Sequence, residues 1–142
     1  MADDKGQNQV DIDLIEMVQR ARMMHDAEAR PSDYASVYWI EAKRGTGDNP
    51  APTAHAGEWR ARLTVATIDT VWEMVKRATV AGNLGYKSKV STRPAAGQAD
   101  PDERLLCART YDARDSADVA RVKRALLDLG LRDLKYVADK TG

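Results

Sequence analysis

The order in which two hydrophobic periodicities follow one another constrains this fold most. Segments with the alternation and the β-branched or aromatic content of strands come in pairs, and each pair precedes a segment whose apolar residues recur at helical spacing. The sequence therefore predicts the order strand–strand–helix–strand–strand–helix–strand. The predicted elements are strands at 36–43 and 59–65, a helix at 67–82, strands at 86–91 and 104–111, a helix at 116–129 and a strand at 134–138.

This order favours an α+β fold in which hairpin-like strand pairs build an antiparallel sheet with the helices on one face. Each helix has a single apolar stripe, so both should bury that stripe against the same side of the sheet. Thr67 is the predicted N-cap of the first helix, with Asp69 in its first turn, and Ser116 is the predicted N-cap of the second. We expect a curved sheet of about five or six strands, whose uncovered face is available to a ligand.

The N-terminal region differs from the rest of the chain. Residues 1–9 are polar and are predicted to be a disordered tail, whereas residues 10–30 have the pattern of an amphipathic helix. That helix either packs on the α+β domain predicted at 36–142 or serves as a surface for a second copy or another partner. Its three methionines, Met17, Met23 and Met24, suit adaptable contacts in either case.

Composition excludes several classes of function. The chain has 142 residues, with 22 basic and 22 acidic side chains, so no net charge attracts nucleic acid or an anionic membrane. Cys107 is the only cysteine and there are two histidines, which excludes an internal disulfide and argues against a zinc site. We predict no metal and no cofactor. The acidic N-terminal residues do not resemble a signal peptide and no segment is long and apolar enough to span a membrane, so a cytoplasmic protein is expected.

Several motifs carry a resemblance to a known family. They are YWIEAKR at 38–44, PTAHAGEW at 52–59, ATVAGNLG at 78–85, SKVST at 88–92 and the helical stretch at 118–130. Over residues 38–142 the chain resembles a small bacterial family labelled as phosphothreonine lyase domain proteins, which is similar to the basophilic-leukaemia-expressed protein family of eukaryotes. That larger family implies the fold of the cap-binding translation initiation factor. The bacterial family implies removal of phosphate from phosphothreonine by β-elimination.

The implied chemistry needs a base for the Cα proton, an acid for the departing phosphate and cations that hold it. Residues two apart on a strand share a face, so Lys87 and Lys89 form one row and Arg60 and Arg62 another. If the second, third and fourth strands are neighbours, these rows and Arg109 form a cationic patch. The candidate roles are Lys89 or Lys87 as base, His55 as acid, and Arg60, Arg62 and Arg109 as the phosphate clamp.

Arg60, Arg62 and Arg109 also depart from the family pattern, which has apolar or aromatic residues there. The structural alternative is that these charges are solvated on an ordinary outer face and that His55 only hydrogen-bonds a nearby carbonyl. Three functions remain open: a phosphate-recognising enzyme, a non-catalytic module for a phosphorylated peptide, small phosphorylated ligand or nucleotide, and an interaction domain that uses the N-terminal helix.

The tryptophans and the cysteine favour packing roles. Trp72 lies on a predicted helix stripe, and Trp59 alternates with apolar residues of a strand, so both are expected in the core. Trp39 shares its face with Glu41, which leaves base stacking as an alternative to packing. Cys107 alternates onto a strand and is predicted to be a small buried apolar group.

Overall fold

The computed structural model describes residues 29–32, 38–45, 50–94 and 100–140. The predicted tail at 1–9 and all but the last two residues of the predicted helix at 10–30 lie outside these ranges. Within them the predicted order of elements is confirmed. The elements are β1 (Trp39–Lys43), β2 (Gly57–Thr64), α1 (Val65–Val80), β3 (Lys87–Ser91), β4 (Glu103–Thr110), α2 (Ser116–Asp128) and β5 (Lys135–Ala138).

The five strands form one sheet in the order β1-β3-β4-β2-β5, and every neighbouring pair is antiparallel. The predicted α+β class with an antiparallel sheet is therefore confirmed. The expectation that β1 and β2 form a hairpin is wrong, because β3 and β4 lie between them and β2 bonds to β4 and β5 instead. This order makes β3, β4 and β2 consecutive neighbours, which decides where their outward side chains meet.

Both helices pack on the same face of the sheet, as their single apolar stripes predict. Trp72 of α1 and Leu126 of α2 are almost fully buried against Trp59, Val90 and Leu106 from the strands. Burial of each large apolar side chain contributes roughly 1.5–3 kcal/mol. The core positions expected for Trp59 and Trp72 are confirmed, and the indole Nε1 of Trp59 donates to the carbonyl of Val119 at 2.9 Å. Neither described helix is long and apolar enough to cross a lipid bilayer.

The two helix starts differ from the predictions. Helix α1 begins at Val65 after the N-cap Thr64, which makes no side-chain capping bond, so the predicted cap at Thr67 is wrong. Asp69 instead accepts hydrogen bonds from the backbone N–H and the hydroxyl of Ser32, at 3.0 and 2.6 Å, and anchors that segment to α1. Helix α2 has its N-cap at Asp115, whose carboxylate accepts from the N–H of Asp118. The cap predicted at Ser116 is one residue late, because the adjacent carboxylate is an equally good acceptor.

Candidate functional site

The sheet face opposite α1 and α2, which we call the open face, collects the predicted strand cations. The register pairs Lys89 with Cys107 and Cys107 with Arg60, so these three residues form a row across β3, β4 and β2. Residues paired in this way project from the same face of a sheet. A second row holds Lys87, Arg109 and Glu58, and Arg62 lies two residues beyond Arg60 on β2. The structure therefore brings five of the six predicted site residues together on one face: Lys87, Lys89, Arg60, Arg62 and Arg109.

Glu58 lies at the centre of these cations and was missed in the sequence analysis. It is only 3% exposed. Its Oε2 accepts a hydrogen bond from Nε of Arg60 at 2.6 Å, and its Oε1 accepts from Nη1 of Arg109 at 2.9 Å. Nζ of Lys89 lies 3.7 Å from the same Oε1. A carboxylate can be buried at this position because three cations from three strands surround it. Its spacing of two residues from Arg60 was the signal available in the sequence.

The surroundings of Glu58 also act on Cys107. Burial alone would raise the pKa of Glu58, but hydrogen bonds from Arg60, Arg109 and the Cys107 thiol, with the charge of Lys89, lower it below its ordinary value. Burial and the negative charge of Glu58 raise the pKa of the Cys107 thiol to about 12. The thiol therefore stays protonated at neutral pH. The predicted burial of Cys107 is confirmed.

This lowered pKa gives a pH dependence of stability. The contribution of Glu58 to the free energy of unfolding should be fully present above its ordinary pKa of about 4.5 and should be lost as the pH drops towards its lower pKa in the folded protein. The reason is that the unfolded chain takes up the proton first. Urea unfolding at a series of pH values between neutral and strongly acidic measures this slope. A profile that Glu58→Gln leaves unchanged would contradict the assignment to Glu58.

Arg109 is held by acceptors of the protein itself. Its Nε donates to the hydroxyl of Tyr86 at 2.7 Å, and Nη1 donates to Glu58 at 2.9 Å and to Asp139 at 2.8 Å. Nη2 donates to the other carboxylate oxygen of Asp139 at 2.5 Å. The guanidinium thus links β4 to β2 and to the residue after β5. Its geometry suits the positioning of Glu58 better than direct capture of a ligand.

The Arg60 guanidinium has hydrogen-bond donors that Glu58 does not use. Only its Nε is used by Glu58, and its two Nη groups have no hydrogen-bond partner among the described residues. The side chain of Arg60 is 42% exposed, and that of Lys89 is 23% exposed. Nζ of Lys89 lies 4.4 Å from the ring centroid of Trp39, so this tryptophan forms a wall of the site. Arg62 is exposed, whereas Lys87 donates to Glu41 at 3.2 Å.

His55 lies in the turn before β2, at the end of the sheet nearer Lys87 than Lys89. Its backbone N–H donates to the hydroxyl of Thr53 at 3.1 Å, and its carbonyl accepts from the N–H of Ala113 at 2.6 Å. Within the described ranges, no contact joins its imidazole to either lysine, so His55 stands apart from the other predicted residues. The same ranges contain no cluster of three or more side chains that could hold a metal ion.

Comparison with known proteins places the chain in a family. The family model described as Basophilic leukemia-expressed protein Bles03 matches residues 51–137, more than half of the chain. The chain belongs to the Bles03 family. The stretch matched by the Bles03 model runs from the loop before β2 into β5 and contains Glu58 and all six predicted site residues. No curated protein matches the chain closely enough to count as a relative.

Proposed function

We propose that the open face binds a phosphorylated ligand, with Arg60, Lys89 and Arg62 as its direct contacts. The observation that carries this proposal is the hydrogen bonding and the exposure of the Arg60 guanidinium. Its Nε is fixed by the buried carboxylate of Glu58, whereas neither Nη group has a hydrogen-bond partner in the part of the chain that the structure describes, and the side chain is 42% exposed. A guanidinium oriented in this way can offer two parallel hydrogen bonds to a phosphoryl group.

The charges of the open face support an anionic ligand. Around Glu58, the positive charges of Arg60, Arg109 and Lys89 exceed the negative charges of Glu58 and Asp139. Arg62 extends the cationic surface along β2, and Lys135, paired with Arg60 in the register, extends it onto β5. In this proposal Glu58 and Arg109 are positioning residues, since they orient Arg60.

A phosphothreonine lyase is the second candidate, favoured by the presence of Lys87 and Lys89 on the same face as the arginines. In β-elimination, a lysine accepts the Cα proton, the Cα–Cβ double bond forms and the C–O bond to phosphate breaks with its electron pair on oxygen. His55 would protonate the departing phosphate. The resemblance to the lyase domain family points to this reaction. The position of His55 favours the non-catalytic binding module, because His55 lies in the turn before β2 and its imidazole contacts neither lysine within the described ranges.

Arg60→Gln should weaken the binding of a phosphothreonine peptide about tenfold to hundredfold, because the phosphate loses charge-assisted hydrogen bonds. The measurement is calorimetric titration of the full chain with the phosphorylated peptide and with its unphosphorylated form. Arg77→Gln is the matched control, since Arg77 lies on α1 and is 79% exposed. Equal affinities of the two variants would contradict the proposal.

Analysis of the peptide after incubation with the protein distinguishes a non-catalytic binding module from a phosphothreonine lyase. A lyase leaves a dehydrated residue, which mass spectrometry detects as the loss of phosphoric acid from the peptide. A binding module returns the peptide unchanged. If the peptide is converted, Lys89→Ala and Lys87→Ala identify the base, because the variant that lacks the base should lose the conversion to a far greater extent than it loses affinity for the peptide.

A further inference from the structure

The outer edge of β5 presents backbone groups that none of the five described strands uses. The N–H of Asp139 donates to the carbonyl of Ala56 at 2.9 Å, one position beyond the paired residues Ala138 and Gly57. In an antiparallel ladder, the backbone N–H and C=O groups of one residue bond to the neighbouring strand, and those of the next residue point away from that strand. Lys135 and Val137 therefore bond to β2, whereas the N–H and C=O groups of Tyr136 and Ala138 point outward. These groups have no partner among the described residues.

This edge is held firmly in place. The hydroxyls of Tyr136 and Thr110 share a hydrogen bond of 2.7 Å, and the rings of Tyr136 and Trp59 meet edge to face with their centroids 5.0 Å apart. Asp139, the next residue after β5, is bound by both Nη groups of Arg109. A peptide that pairs with β5 would therefore meet a preformed template and would not have to order it.

The cations of the open face adjoin this edge. Lys135 and Val137 project from the open face, and Lys135 is paired with Arg60 in the register. In a strand added to β5, the residue opposite Lys135 projects from the same face and lies about 4.5 Å from it between Cα atoms. A phosphate on that residue could contact Lys135 and, one strand further, the Nη groups of Arg60. The other edge strand of the described sheet, β1, is separated from β2 by β3 and β4, so a phosphate on a strand added there would lie too far from the Nη groups of Arg60.

We propose that the ligand is an extended phosphopeptide that adds to β5 as an antiparallel strand, with its phosphorylated residue opposite Lys135. This inference rests on the proposed function of the open face. It specifies the ligand further, because the residue two positions before the phosphorylated one lies opposite Val137. That position should prefer an apolar side chain. The backbone of the intervening residue bonds to Tyr136.

Ala138→Pro tests the docking edge in the full chain, because proline removes the outward N–H and obstructs a further strand while leaving the bonds of β5 to β2. The probe is a short peptide with phosphothreonine and a valine two residues before it. Its affinity should fall about tenfold or more, as expected for lost hydrogen bonds and a steric obstruction. Binding of free phosphothreonine should not change. Ala138→Val is the matched control, since valine keeps the N–H and suits a strand.

A second experiment uses the unaltered protein. It tests whether the peptide pairs with the outer edge of β5 even if Ala138→Pro does not fold. Methylation of the peptide nitrogen one residue before the phosphothreonine should abolish binding, because that N–H pairs with Tyr136. Methylation two residues before it should be tolerated, because that N–H points away. Equal effects of the two methyl groups on affinity would contradict the proposal that the peptide adds to β5 as an antiparallel strand. If phosphothreonine binds and Arg60→Gln weakens it, the proposed function nevertheless stands. If the protein binds neither phosphothreonine nor the peptide, both proposals fall.

Discussion

Glu58→Gln should lower the free energy of unfolding by about 3 kcal/mol, the lower end of what is lost when one partner of a buried ion pair is removed. Glu58 is 3% exposed and bonds Arg60 and Arg109, with Lys89 nearby. Glutamine keeps the shape but removes the charge, so Arg109 and Lys89 lose a buried counterion. We expect a loss at the lower end of this range because the side chains of Arg60 and Lys89 are partly exposed and can still be solvated. Urea unfolding at neutral pH measures the change.

Glu73→Gln provides the control for this prediction. Glu73 also contacts two cations, Lys76 and Arg77, but on the surface of α1, where its side chain is 46% exposed. Surface pairs of this kind contribute at most about 1 kcal/mol. If Glu58→Gln proved no more destabilising than Glu73→Gln, the charge cluster on the open face would not hold the strands together. Its arginines could then not be regarded as oriented by Glu58.

The shared face of the cations could be predicted from the sequence because it depends only on local periodicity. Lys87 and Lys89 alternate with the buried Ser88 and Val90, so their common side of β3 follows from the strand itself. The helical stripes around Trp72 and Leu126 are equally local. The structure adds that β4 lies between β3 and β2, which makes the two cationic rows continuous.

The role of Glu58 could not be predicted in this way, because its burial depends on residues distant in the sequence. Arg109 and Lys89 reach it only through the pairing of β4 with β2 and β3, and Asp139 joins through the last strand. The strand order is likewise set by long-range pairing: the pattern of β1 and β2 fits a hairpin as well as it fits two separated strands. Helix caps were ambiguous because several adjacent residues, such as Asp115 and Ser116, can each accept the capping bond.

Gly85→Ala should destabilise the fold by about 3 kcal/mol, the upper end of the usual cost of overpacking. A Cβ at Gly85 would overlap the backbone carbonyl of Arg109, and backbone cannot move aside as a flexible side chain can. The end of β4 would have to shift, which would displace the Arg109 guanidinium from Glu58 and so disturb Arg60. We therefore expect weaker phosphothreonine binding as well, measured below the melting temperature. Gly130→Ala is the control. Gly130 has a φ of +99°, but apart from its chain neighbours no described residue has an atom within 4 Å of an added Cβ, so only backbone strain of about 1 kcal/mol is expected. A Gly85→Ala variant as stable as Gly130→Ala would show that β4 adjusts without cost, and that Gly85 does not fix the position of Arg109.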